Sequence, residues 1–223
     1  MAGVLALPQP QSEEESKILK EQALQGSPDA ADHVVGWYLL LMGNGKLYWA
    51  TIAAENGSRT GAYNMASILS DRGSLDSDPY GDNGRDRIWF WLKKAADHGS
   101  EYALEWVKRE FPETDKVRPA PEQEIQRWRL SEQTLPKFKQ VAMRGSPNAA
   151  YKLYEHYTSP HSEPKERLFW ATIAAQNGHP KAPYVLGKLM LKSDQPSDQE
   201  RAIFWLKKAA AAGDKDAIRL LQR

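Results

Sequence analysis

Small and apolar positions return along this chain in a fixed register around six glycines, Gly26, Gly57, Gly99, Gly145, Gly178 and Gly213, spaced by 31, 42, 46, 33 and 35 residues. Three positions before each glycine stands an alanine: Ala23, Ala54, Ala96, Ala142, Ala175 and Ala210. Four positions after it the residue is always small (Ala30, Gly61, Ala103, Ala149, Ala182, Ala217). Eight positions after it the residue is always apolar (Val34, Met65, Val107, Leu153, Leu186, Leu221). Residues four apart stack on one face of a helix, so the register predicts a helix on either side of each glycine, with alanine letting the two backbones cross closely. The glycine itself takes the left-handed conformation that ends the first helix. Ser27-Pro28 and Ser146-Pro147 then restart the chain, serine as N-cap and proline in the first helical position.

Read along the chain, this pattern predicts helices over Glu13–Gln25, Ser27–Leu41, Lys46–Asn56, Ser58–Ser70, Asp86–His98 and Ser100–Glu110. After these come Glu122–Leu130, Leu135–Arg144, Pro147–Thr158, Glu163–Asn177, Pro180–Lys192, Ser197–Ala212 and Lys215–Gln222. Two halves are expected, 13–110 and 122–223, joined by a proline-rich linker over 111–121 and preceded by a flexible terminus, 1–12. The halves echo each other. Trp49-Ala-Thr-Ile-Ala-Ala-Glu-Asn-Gly57 returns as Trp170-Ala-Thr-Ile-Ala-Ala-Gln-Asn-Gly178, and Trp91-Leu-Lys-Lys-Ala-Ala-Asp-His-Gly99 returns as Trp205-Leu-Lys-Lys-Ala-Ala-Ala-Ala-Gly213. Near-identity over nine residues, twice, is the mark of internal duplication, which points to a repeat architecture of stacked helix pairs.

The pattern resembles the Sel1-like repeat family, relatives of the tetratricopeptide repeats whose second helix ends in Trp-x-x-x-Ala-Ala-x-x-Gly. The matching residues are Trp49, Ala53, Ala54 and Gly57; Trp91, Ala95, Ala96 and Gly99; Trp170, Ala174, Ala175 and Gly178; and Trp205, Ala209, Ala210 and Gly213. The next helix carries the family's small-x-x-x-Leu-Gly most clearly as Ala182-Pro-Tyr-Val-Leu-Gly187. Ile18 and Lys137 replace the tryptophan in the first and fourth units, and Val107-Lys108 replaces Leu-Gly in the third. The resemblance covers most of 14–110 and 134–222. It implies an all-α, right-handed α-solenoid of stacked antiparallel helix pairs that binds other proteins and catalyses nothing.

Composition alters this picture little. The net charge is +1, so no basic excess argues for nucleic acid. That balance hides a division: residues 1–133 carry 15 basic against 21 acidic groups, and 134–223 carry 15 against 8. With no cysteine, disulfides, thiolate metal sites and a cysteine nucleophile are excluded. No apolar run approaches the ~18 residues of a membrane span. Met1–Pro10 is too short for a secretory signal, and a start just after a removed signal peptide would put the protein in a bacterial periplasm, an ordinary start in the cytoplasm.

Candidate chemistry is sparse. Asp76-Ser-Asp78-Pro-Tyr80-Gly81-Asp82 imitates the opening of an EF-hand loop, but the twelfth position is Arg87 where a bidentate Glu is needed. Gly43-Asn-Gly45-Lys46 lacks the earlier glycine and the following Ser or Thr of a phosphate loop. There is no Gly-x-Ser-x-Gly elbow. His33, His98, His156, His161 and His179 form no zinc pair. Asn56-Gly-Ser58 fits a glycosylation acceptor, although a glycine helix end explains the first two residues already. An enzyme built here would have to draw acid and base from Asp76, Asp78 and Glu110. The expectation is a protein without catalytic residues, cofactor or metal.

Recognition is expected instead on the helix following each glycine. If positions four and eight after it pack inward, positions three and seven form an adjoining stripe, with Arg109, Tyr154 and Lys188 a turn further on. The stripe presents His33, Asn64, Tyr102, Trp106 and Lys152. Trp37, Trp106 and Trp128 have no equivalent tryptophan across the duplication, and Trp and Tyr are favoured anchors in protein interfaces. The loop residues Asp76, Asp78, Tyr80 and Asp82 complete the expected contact set. The partner expected is one cognate protein, with no nucleic acid and no membrane insertion, and with the chain itself a monomer. Some small bacterial Sel1-like proteins are immunity proteins against phospholipase toxins delivered by type VI secretion. The resemblance therefore implies toxin neutralisation by covering an active-site entrance, with an adaptor in a bacterial signalling or protein-quality complex as the alternative.

Overall fold

A computed structural model of the chain describes residues 10, 12–40, 45–71, 84–112, 121–159 and 163–222. All regular structure among them is α-helical. The helices are α1 (Glu13–Leu24), α2 (Pro28–Leu40), α3 (Lys46–Glu55), α4 (Arg59–Asp71), α5 (Gly84–Asp97), α6 (Glu101–Glu110), α7 (Glu122–Arg127), α8 (Leu135–Met143), α9 (Pro147–His156), α10 (Pro164–Gln176), α11 (Ala182–Met190), α12 (Pro196–Ala211) and α13 (Lys215–Leu221). The chain divides into two compact units, Met1–Lys116 and Val117–Arg223, a division within the proline-rich stretch. In the first unit α1 to α6 pack each on the next, and in the second α8 to α13 do the same while α7 lies against α9.

The six glycines behave alike for one local reason. Each has positive φ, from 86° at Gly99 to 114° at Gly26. At each, the glycine N–H bonds the carbonyl three residues back and the next N–H bonds the carbonyl five back, as in Gly26 to Ala23, Ser27 to Gln22, Gly178 to Ala175 and His179 to Ala174. This is the Schellman closure, which satisfies the last carbonyls of the helix. The residue after the glycine also caps the next helix. Ser27, Ser58, Ser100 and Ser146 Oγ accept from the backbone N–H three residues on, and Asp214 Oδ1 does so from Asp216 and Ala217. One residue thus ends one helix and begins another, which fixes the angle of each hairpin.

Packing follows the small-residue register. Ala30, Ala103, Ala149, Ala182 and Ala217 are buried, as are Val34, Met65, Val107, Leu153 and Leu186. Gly61 shows how tight the crossing is, since a Cβ there would lie 2.5 Å from Ala53 Cβ and 2.7 Å from the Ala54 nitrogen. Ala96 and Ala210 are only half-buried, whereas Ala95 and Ala209 just before them are fully buried. Leu221, in the last helix, is likewise half-buried. Trp49, Trp91, Trp170 and Trp205 lie in the core.

Candidate binding surface

In the first unit the residues of the stripe keep a solvent-facing edge. Asp29 and Thr60 are exposed, and Tyr102 is 64% exposed at the start of α6. His33 and Asn64 are half-buried, His33 Nδ1 lying 2.9 Å from the Asp29 carbonyl. Trp106 meets Tyr63 edge to face, with centroids 5.8 Å apart, and its indole is partly spent on joining α4 to α6. Arg109 is exposed and donates from Nε to Glu110. Trp37 is a correction: at 4% exposure it belongs to the core of the first unit and presents nothing to a partner. It lies eleven residues after Gly26, which on a helix returns the side chain to the buried face.

Lys152 is a second correction. Its ammonium is not free but donates to the carbonyls of Gln126 and Trp128, at 2.6 and 2.8 Å. At the other end of the same contact the Asn148 N–H donates to Glu122 Oε2 at 3.2 Å. Between them Ile125 is fully buried. The stripe of α9 is therefore already covered by α7, a short helix from outside the hairpin register, with its C-terminal carbonyls held by a lysine. Trp128 follows, edge-on to Phe138 at 5.6 Å and capped by Lys137 Nζ at 3.9 Å. Helix α7 ends at Arg127, three residues earlier than its sequence predicts, because Trp128 turns to extended backbone.

Beyond α7, the second unit presents Tyr154 from α9 and Lys188 from α11. Tyr154 is half-buried and Lys188 is exposed, its Nζ 5.2 Å from the Tyr184 ring centroid. Burial raises the Tyr154 phenol above its usual pKa, while the positive charges of Arg167 and Lys188 act on the same hydroxyl in the opposite sense. Asp76, Asp78, Tyr80, Asp82 and His161 lie outside the described residues.

Among the described residues no three His, Asp or Glu side chains are placed to hold a metal. A shallow hollow of about 370 Å³ runs along α1, lined among the described residues by Glu13, Ser16, Lys17, Lys20, Glu21 and Leu24. No described helix is long and apolar enough to cross a membrane.

Several residues that organise the surface escape a reading of spacing alone. Asn56 Nδ2 donates to the carbonyls of Ala23 and Ser27, at 2.8 and 3.1 Å, and Asn177 Nδ2 repeats this on Ala142 and Ser146, at 2.7 and 3.1 Å. Each asparagine clamps its own hairpin to the glycine turn of the preceding one. Their recurrence in both copies of the Trp-Ala-Thr-Ile motif was the available signal. Asp32 reaches forward to Ser58 Oγ at 2.7 Å, and burial raises its carboxyl above the usual range against the lowering effect of that hydrogen bond. In the second unit the corresponding contact is a stack of Tyr151 on His179, centroids 3.9 Å apart. His179 Nδ1 accepts from the Lys181 N–H, so the imidazole stands where other units use serine, and burial holds its pKa down to about 4. Arg87 and Arg201 are almost fully buried, with their guanidiniums 3.9 and 3.7 Å from the centroids of Phe90 and Phe204.

No family model matches the chain. It is similar to the uncharacterized protein NMB1327 of Neisseria meningitidis serogroup B, with 29% identity over 168 residues. The match takes in 75% of this chain and 31% of that protein, so the chain spans less than a third of the length of the curated relative it matches.

Proposed function

We propose that this chain is a non-catalytic protein-binding solenoid of Sel1-like helix pairs, coiled right-handed, that holds a partner segment on the helices following its glycines. The observation that supports this reading is α7 on α9. There the chain presents to its own repeat a short helix with one buried apolar side chain, an acid at its start and carbonyls at its end, and the repeat grips all three. Helix-in-groove recognition uses the same parts.

The narrower version rests on the Sel1-like resemblance. The partner is a single cognate toxin, a phospholipase or lipase effector of type VI secretion, and the chain neutralises it by covering the active-site entrance. The second reading, an adaptor module, is favoured by the length of the Neisseria relative, in which the matched stretch is a minor part.

Affinity capture from bacterial cells encoding the chain, followed by titration with the purified partner, separates the two. Neutralisation predicts a stoichiometric complex with Kd on the order of nanomolar and loss of the partner's lipase activity. His33→Ala with Tyr102→Ala should weaken that complex while leaving helicity unchanged. A tight partner whose activity persists in the complex supports the adaptor reading, and the absence of any stoichiometric protein partner defeats both.

A further inference from the structure

We propose that the face of the second unit formed by Tyr154, Arg167, Tyr184 and Lys188 is a docking site for an acidic peptide segment. This rests on the protein-binding reading above and names the chemistry of the partner at that face.

Three helices contribute. Tyr154 comes from α9, Arg167 from α10, and Tyr184 with Lys188 from α11. Arg167 and Lys188, from two different helices, both bear electrostatically on the Tyr154 hydroxyl. Neither is ion-paired among the described residues, and Arg167 Nε is withdrawn from water without a hydrogen-bond acceptor. Glu155, next to Tyr154 on α9, is the acid that bears on the same phenol. It is exposed.

Aromatic surface adjoins the cations. Tyr151 and Tyr154 lie 5.3 Å apart between centroids, and Lys188 rides over Tyr184. A carboxylate on this face accepts from the guanidinium and the ammonium and from the Tyr154 O–H, while its methylenes rest on the rings. The surrounding stretch, 134–223, has 15 basic against 8 acidic residues, which steers an acidic segment towards it. A long polyanion is disfavoured, since the whole chain carries only +1 and residues 1–133 hold 21 acidic groups against 15 basic ones.

The test is fluorescence anisotropy of the full chain with a labelled glutamate decamer, a lysine decamer and an oligothymidylate of equal length. The glutamate peptide alone should bind, and Arg167→Gln with Lys188→Gln should weaken it by about tenfold, the size expected for removing close charge pairs. Lys192→Gln with Lys207→Gln removes the same charge from other exposed positions and should change binding less than about twofold. Should the Arg167 variant lose helicity, Lys188→Gln alone is the readout, with a loss of about threefold or more. Failure of the glutamate peptide to bind, an equal loss in the Lys192/Lys207 control, or a preference for the oligothymidylate overturns the site. A protein partner still held normally by the Arg167/Lys188 variant overturns it too, and leaves the protein-binding reading standing.

Discussion

Asn56 and Asn177 act at a distance from their own helices, because each amide bonds two carbonyls of the preceding turn. Replacing either by alanine is expected to cost about 1–2 kcal/mol by urea denaturation, the worth of a paired buried polar contact. Aspartate should cost more than alanine, since a carboxylate facing two carbonyl oxygens repels them. Equal midpoints for the two substitutions would remove the clamp. His179 predicts a pH effect of definite sign. Its pKa falls from 6.5 to about 4 on folding, so between those values the unfolded chain binds more protons. The stabilisation it gives is complete above pH 6.5 and is lost as pH falls towards 4. The loss is expected to be about 1–2 kcal/mol, less than the full shift because solvent reaches part of the ring. Asp32, whose pKa is raised, works in the opposite sense and favours the fold as its carboxyl protonates. Comparing His179→Ser with the parent by thermal melts from pH 7 to pH 4 isolates the first effect, and parallel curves would refute it.

Among the helices, the tightness of the seam decides stability. Glycine in a helix interior usually gains about 1 kcal/mol on replacement by alanine. Gly61 should do the reverse, because the new Cβ would meet Ala53 and the Ala54 backbone, which cannot swing aside. A net loss of about 2–3 kcal/mol is expected, within the range for overpacked cores. Gly187→Ala should lose less, since its nearest neighbour is the Leu206 side chain, at 2.7 Å from Cγ, and the nearest backbone atom, the Ala202 oxygen, lies 3.1 Å away. Gly57→Ala meets open space, and its cost of about 1–2 kcal/mol comes from the left-handed backbone alone. Denaturant midpoints that rank Gly187→Ala below Gly61→Ala would contradict this account of the crossing. All thirteen described helices were legible at this scale with small shifts at their ends, since glycine, serine and proline act through local backbone geometry. The seating of α7 was not legible, because nothing in Glu-Gln-Glu-Ile-Gln-Arg says which helix its isoleucine will meet.

For the molecule as a whole, folding and recognition should respond differently to salt. Ion pairs such as Lys93–Asp97 and Arg219–Asp216 are exposed and join residues of one helix, so each adds at most about 1 kcal/mol. Raising sodium chloride from about 50 to 500 mM, which shrinks the screening length several-fold, should leave the melting temperature nearly unchanged yet weaken capture of an acidic segment markedly. A melting temperature that falls steeply with salt would show that exposed ion pairs, which salt screens, stabilise the fold more than the alanine seams do.

Period and turn chemistry made the helices, their glycine closures and the duplication readable from the sequence, because each depends on residues within one or two turns of one another. The sequence also offered a whole stripe of recognition residues, and there the tertiary structure decided. Trp37 faces the core, Lys152 is spent on α7, and Tyr154 comes under the charges of Arg167 and Lys188 only because three helices bring them together. A helical face states which side chains point the same way. What stands opposite that face, whether water, a neighbouring helix or the chain's own segment, is set by contacts between residues far apart in the chain, which no local spacing encodes.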